Sequence, residues 1–176
     1  MYEWTADYIV QDSFLDEEDY NWCVGFFDNL SNKNKDWQIS KNKIYYNGRQ
    51  DIQDEYIYTM HKKYNPLLLT YLKRLAPDKI KDYTYSEFNF VKNGPEHVFK
   101  IHNDTPNKLL SVVIYIQPNK NTGTLLYSNQ QGDDEYEVVW KCNRALIFSR
   151  NNETWHSYRS DGKTERCCLV YNLRSP

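Results

Sequence analysis

From Tyr83 onward the chain breaks into seven short strand-like runs: YSEFNFVK (85–92), HVFKIH (97–102), LLSVVIYIQ (109–117), GTLLYS (123–128), EYEVVW (135–140), RALIFS (144–149) and ERCCLVYN (165–172). Polar, turn-forming segments such as NGPE, PNKNTG and NQQGDD separate them. Short strands at this near-regular spacing predict a sandwich or barrel rather than a parallel α/β sheet. The aromatic content, 16% of residues with 16 Tyr and 5 Trp, suits such a β-rich fold.

The N-terminal part reads differently. DYIVQD (7–12) alternates like a strand, and Asp16, Glu17 and Glu18 mark the start of a helix over about 16–30. Tyr20, Cys23, Val24, Phe27 and Leu30 fall at spacings of three and four, which makes one buried stripe. Residues 51–76 read as two helical pieces, with Asn65-Pro66 restarting the second. The polar stretch 32–51 reads as a long loop or hairpin. It is either a substrate lid, reaching substrate through Trp37, Tyr45, Tyr46 and Arg49, or a solvated connection. The 176 residues are therefore expected to form one domain, with helical support and a lid in 1–80 and a jelly-roll core in 81–176. The fold class is mainly β, a jelly roll buttressed by two or three helices.

Charge and cysteine usage narrow the function. A net charge of −2 supplies no global positive field, so nucleic acid is not an expected partner. Cys23, Cys142, Cys167 and Cys168 show neither CxxC spacing nor the density of a disulfide scaffold, which points to reduced thiols and a cytoplasmic setting. No apolar run approaches the roughly 20 residues of a membrane helix, and the N-terminus has no signal-peptide pattern.

Against this background the stretch KIHNDTPNKLL (100–110) stands out. In an extended chain, residues i and i+2 share a face, so His102 and Asp104 project an imidazole and a carboxylate into one space. His61 lies in a helical region, and His97 falls on the opposite face of a continuous strand. His156, 52 residues after Asp104 in RNNETWHSYRSD, is separated from it by enough strands to return to it. Two imidazoles and one carboxylate on a β scaffold form the facial triad suited to non-haem Fe(II), so His102, Asp104 and His156 are the candidate metal ligands.

Two further residues extend the site. In the last run Arg166, Cys168 and Val170 share one face, and Cys167, Leu169 and Tyr171 the other. A guanidinium inside a barrel demands an anion, either a bound carboxylate or an internal acid, whereas an outward-facing Arg166 would need neither. Alternation places Ser111, Val113 and Tyr115 together, so Tyr115 either donates to the same carboxylate or packs in the core.

The series His102-x-Asp104, the YIQPN run with Tyr115, Gly123-x-Leu125, RALIFS, WHS with His156, and Arg166 resembles the 2-oxoglutarate and Fe(II)-dependent oxygenases. Within them it is most similar to the prolyl 4-hydroxylase group, over about residues 85–173. The resemblance implies a double-stranded β-helix with Fe(II) on His102, Asp104 and His156. It also implies 2-oxoglutarate chelating the metal, its distal carboxylate on Arg166 and Tyr115. O₂ would oxidise the cosubstrate to succinate and CO₂ while an unactivated C–H is hydroxylated, with a prolyl residue of a peptide or protein, or an amino acid, as substrate. The sequence departs from that group at Thr122-Gly123-Thr124, which keeps one glycine, and at the FVKNGPEHVFK approach to His102.

Three other readings compete. A cupin-like barrel would show HxH with a following Glu in place of HxD. A non-catalytic binding module that kept the fold is a further alternative, in which the intact HxD, His156 and Arg166 argue against loss of the metal. A nucleic-acid demethylase would show R-x5-R, whereas seven residues separate Arg166 from Arg174.

Overall fold

The computed structural model describes residues 6–30 and 36–176. Among these, two antiparallel sheets are formed. Strands β1 (Tyr8–Gln11), β2 (Trp37–Tyr45), β3 (Gln50–Asp51), β4 (Tyr85–Asn93), β6 (Lys108–Gln117), β9 (Ala145–Phe148) and β11 (Arg166–Arg174) make the large sheet, in the order β1-β9-β6-β11-β4-β2-β3. Strands β5 (Val98–His102), β10 (Trp155–Arg159), β7 (Thr124–Tyr127) and β8 (Tyr136–Val138) make the small one, in that order.

The central strands of the large sheet, β9, β6, β11 and β4, are largely buried on both faces, whereas β2 buries only its helix-facing side and β3 at the edge is exposed, and side-chain alternation sorts the residues. Phe88 and Phe90, Val112, Ile114 and Ile116, and Cys167, Leu169 and Tyr171 turn toward helices α1 (Glu17–Asn29) and α2 (Glu55–Leu75) and form the main core. Tyr115, Leu146, Phe148 and Cys168 turn the other way, meeting Leu126 and Val138 of the small sheet and Trp140 in a second cluster. The expected division of the last strand is thus realised.

Helix α1 begins and ends as expected, with Cys23 and Phe27 fully buried. Its buried acid, Asp19, accepts from Tyr56 Oη (2.7 Å), from Lys63 Nζ (3.0 Å) and from Tyr64 Oη, which ties α1 to α2.

Two expectations need correction. Residues 55–75 form one continuous helix, with Pro66 inside it. An internal proline costs roughly 3 kcal/mol through its missing N–H and its ring. Here Ile57, Met60, Tyr64, Leu68 and Leu72 form one buried stripe through the proline, which holds the helix together. Asn65 does not cap a second piece. Its side chain donates to Tyr83 Oη (3.1 Å) and accepts from Ser86 Oγ (2.8 Å) and Tyr171 Oη (2.8 Å).

The second correction concerns 32–51. Of the loop and the hairpin left open for it, the described part is the hairpin, β2 turning into β3, and nine residues of β2 pair with all of β4, so it is fixed to the sheet and is not a free lid. Residues 32–35 lie outside the described ones. Ser40 and Asn42 occupy the helix-facing side of β2, with Asn42 Nδ2 donating to Phe88 O (3.0 Å) and Asn42 Oδ1 accepting from Gln53 N (2.8 Å). A polar buried face hides the period-2 signal. The N-terminal part therefore contributes strands β1, β2 and β3 to the large sheet as well as helices. The strand β10, WHSYR, was also absent from the expected set.

The four cysteines are free, and Cys23, Cys167 and Cys168 are buried. No helix among the described residues is long and apolar enough to cross a membrane.

Leu68 is fully buried where α2 meets the sheet. Leu68→Ala is expected to cost about 2–5 kcal/mol in urea unfolding. Burial lowers the pKa of His61 from its usual 6.5 to about 4. The unfolded chain then takes up the proton first, so this stability is full above pH 6.5 and falls away as pH drops toward 4. His61→Gln is expected to flatten part of the acid-induced loss of melting temperature between those pH values.

Candidate metal and cosubstrate site

Pairing between β5 and β10 sets the site. His156 lies directly opposite His102 in the ladder, and their rings come within 4.3 Å centroid to centroid. Asp104 follows two residues after β5 ends, in a connection tied down on several sides. Asn103 Oδ1 accepts from Thr154 Oγ1 (2.7 Å) and from the Asp104 amide (3.0 Å), while Arg150 Nε donates to the Asp104 carbonyl (3.0 Å). These bonds fix the carboxylate relative to the turn that leads into β10.

As a result the Nε2 atoms of His102 and His156 lie 3.9 and 3.7 Å from the same oxygen, Asp104 Oδ1. One ligand atom from each of the three residues falls within 4.8 Å of the others. Each imidazole places Nδ1 2.8 Å from a backbone carbonyl, that of Lys100 for His102 and of Thr154 for His156. A carbonyl only accepts, so Nδ1 carries the proton and the Nε2 lone pair points into the cluster, the tautomer a metal requires. Asp104 Oδ2 accepts from Ser111 Oγ (2.6 Å), and Oδ1 accepts from Lys108 Nζ (3.1 Å).

Electrostatics favour the ligating states. Burial pushes the Asp104 carboxyl up, but Lys108, His156 and the Ser111 hydrogen bond outweigh it and hold the group at about 2. Burial lowers His156 to about 4 against the opposing pull of Asp104, so the imidazole is neutral near pH 7.

The cluster opens into a cavity of about 330 Å³ between the two sheets. Arg166 lines the same cavity and is 6% exposed, so the expected interior orientation is the one observed. Its guanidinium carbon lies 3.9 Å from the Tyr158 ring centre and 5.4 Å from those of Tyr115 and Trp140. Nη2 donates to Thr124 Oγ1 (3.2 Å), and among the described residues Nε is buried with no acceptor. No carboxylate among them pairs with this cation. A buried guanidinium so enclosed calls for an anion from outside the chain.

Tyr115 lies beside Arg166, stacked on Trp140 at 4.4 Å, with its hydroxyl turned to β7. That oxygen accepts from the Thr124 amide (2.8 Å) and is within donating distance of Thr124 Oγ1 (3.1 Å) and Val138 O (3.2 Å). The hydroxyl that lines the cavity next to Arg166 is that of Thr124. Sequence reasoning missed Thr124, Ser111 and Lys108. The signal for Ser111 was its place on the face of Val113 and Tyr115. Trp37 lines the cavity from β2, whereas Tyr45 and Arg49 stack on each other at 4.2 Å near the hairpin turn and Tyr46 is 81% exposed. His97 pairs with Asp36 Oδ2 (2.9 Å), and His61 lies on α2; neither joins the cluster.

The retained glycine has a structural reason. A Cβ on Gly123 would lie 1.8 Å from the Val138 carbonyl oxygen. Gly123→Ala is therefore expected to displace β8, with a lowered melting temperature and weakened anion binding at Arg166; an unchanged melting temperature would contradict the packing described.

The fold is shared with solved 2-oxoglutarate oxygenases. A prolyl 4-hydroxylase from Pseudomonas putida superposes with a TM-score of 0.66 at 17% identity, covering 98% of this chain and 94% of that one. A Trichoplax adhaerens prolyl hydroxylase, solved with a peptide fragment of the hypoxia-inducible-factor oxygen degradation domain, gives 0.65 at 14% identity over 97% and 84%. The viral collagen prolyl hydroxylase of Paramecium Bursaria Chlorella virus-1, in its 2-oxoglutarate complex, gives 0.60 at 13% over 96% of each chain. No family model matches the sequence, and no curated protein is similar to it in sequence. The fold is that of the 2-oxoglutarate and Fe(II) oxygenases, prolyl hydroxylases among them, as the motif series implied.

Proposed function

We propose that this protein is an Fe(II)- and 2-oxoglutarate-dependent dioxygenase that hydroxylates an unactivated C–H, with a prolyl residue of a peptide or protein as the first substrate to test. The whole chain then acts as one oxygenase domain, its two sheets forming a double-stranded β-helix. The observation that carries the reading is the convergence of His102, Asp104 and His156 with both imidazoles anchored through Nδ1.

The residues fit the absent groups. Two imidazole nitrogen donors and one ionised carboxylate suit Fe(II) and leave room for further ligands. The unpaired Arg166, with the Thr124 hydroxyl beside it, suits the distal carboxylate of 2-oxoglutarate through charge-assisted bonds. Tyr115 supports that end of the cavity by holding Thr124 and by placing its ring against the guanidinium. When bound, the iron and cosubstrate supply the O₂ chemistry.

The chain's own residues position and shield. Ser111 fixes the free oxygen of Asp104, and Lys108 adds positive charge at the other. Phe99 packs on His102 at 4.5 Å and Phe148 on His156 at 5.1 Å, so an aromatic ring covers part of each imidazole. Removing the Ser111 hydroxyl is expected to weaken metal binding by roughly 10–100-fold, the usual effect of losing a partner that orients a ligand.

The test is O₂-dependent conversion of 2-oxoglutarate to succinate by the Fe(II)-loaded protein. Turnover is expected in the wild type, with none in His102→Ala or Asp104→Ala and a strongly raised 2-oxoglutarate requirement in Arg166→Ala. Equal turnover in the ligand variants would remove these residues from the metal.

A further inference from the structure

The floor of the cavity continues past the metal cluster, across β11 and β4 to β2, and its charge is one-sided. Four cations line the cavity, Lys41, Lys108, Arg166 and Arg174, against two carboxylates, Glu87 and Asp104. Arg174 Nε donates to Glu87 Oε2 (2.5 Å), and Lys108 leans on Asp104. Among the described residues, neither Lys41 nor Lys43 forms an ion pair, although Lys43 lies across the ladders from Glu87 and Asp51.

Register places these groups in one band. Lys43 pairs with Glu87 and Lys41 with Asn89, so both lysines sit on the cavity-side face of β2. Lys108 on β6, Arg174 on β11, Glu87 on β4 and the two lysines on β2 then cross four adjacent strands. At about 4.8 Å per strand the band is roughly 14 Å long. With Asp104 on Lys108 and Asp51 opposite Lys43 counted beside Glu87, it holds four cations against three carboxylates, a net positive balance in a chain whose net charge is −2. Next along β2, Trp37 and Ile39 line the cavity while 43% and 41% exposed.

A small carboxylic acid would meet only one end of this band. An extended peptide, at about 3.3 Å per residue, covers it in roughly four or five residues. From this charge pattern we propose that the substrate is an acidic peptide segment lying across the open half of the large sheet, from Asp104 to β2. Its carboxylates face Lys108 at one end and Lys41 and Lys43 at the other, and an apolar side chain rests on Trp37 and Ile39. The inference rests on the oxygenase reading for the position of the reacting residue, and on the sheet alone for the charge preference.

The experiment is fluorescence anisotropy with labelled peptides of equal length added to the Mn(II)- and 2-oxoglutarate-loaded protein without O₂. Each peptide carries a central proline flanked by Asp and Glu, by Gln and Ser, or by Lys and Arg. Calorimetry of 2-oxoglutarate is run on the same samples. The acidic peptide is expected to bind about tenfold or more tightly than the neutral one, the effect of a lost charge pair worth about 1.4 kcal/mol. A Lys41→Ser/Lys43→Ser double variant is expected to lose that preference with its 2-oxoglutarate affinity unchanged. Equal binding of the three peptides, or an acidic preference that survives in the double variant, would overturn the assignment. If 2-oxoglutarate binds and no peptide does, the peptide inference falls and the oxygenase reading stands. If the acidic peptide binds and 2-oxoglutarate does not, the surface assignment holds and the oxygenase reading falls.

Discussion

The pairing of β5 with β10 is the contact on which the site depends. It sets His102 opposite His156 in register, and the Asn103–Thr154 hydrogen bond across the same pair of segments brings Asp104 to both. Because side chains alternate along strands, a slip of one residue would turn one imidazole out of the cluster. The small sheet is therefore the element that brings the three candidate metal ligands together. The large sheet supplies their support: Ser111 from β6 fixes Asp104, and β11 brings in Arg166.

The large sheet works on both faces. Helices α1 and α2 bury one face in the main core and hold the sheet rigid. The opposite face carries polar and charged groups that an ordinary sandwich core would exclude, such as Arg166, Asn89 and Asn172. Burying such groups is costly unless they meet partners, so their concentration around one cavity marks it as the place where ligands complete the structure.

Much of this was legible in the sequence because strand alternation is strict. The face shared by Ser111, Val113 and Tyr115, and that shared by Arg166, Cys168 and Val170, follow from counting by two, and the structure turns both toward the small sheet or the cavity. Cases where tertiary bonds replace the usual local signal were not legible. Pro66 reads as a helix start, yet the apolar stripe of α2 runs through it. Strand β2 reads only as part of a loop or hairpin, with no strand period, because its buried face carries Ser40 and Asn42, whose side chains bond Gln53 and Phe88. Tyr115 falls on the face that alternation gives it, but its hydroxyl turns to Thr124 and Val138 and not into the cavity, a direction that depends on where those residues lie.

The central claim is that His102, Asp104 and His156 hold a metal that in turn completes a 2-oxoglutarate site at Arg166. The most direct measurement is an anaerobic calorimetric titration of 2-oxoglutarate into Mn(II)-loaded protein, beside metal-free protein and His156→Ala. Binding that requires both the metal and His156 is the predicted result. Binding of equal strength without metal, or none with the metal shown to be present, would contradict it.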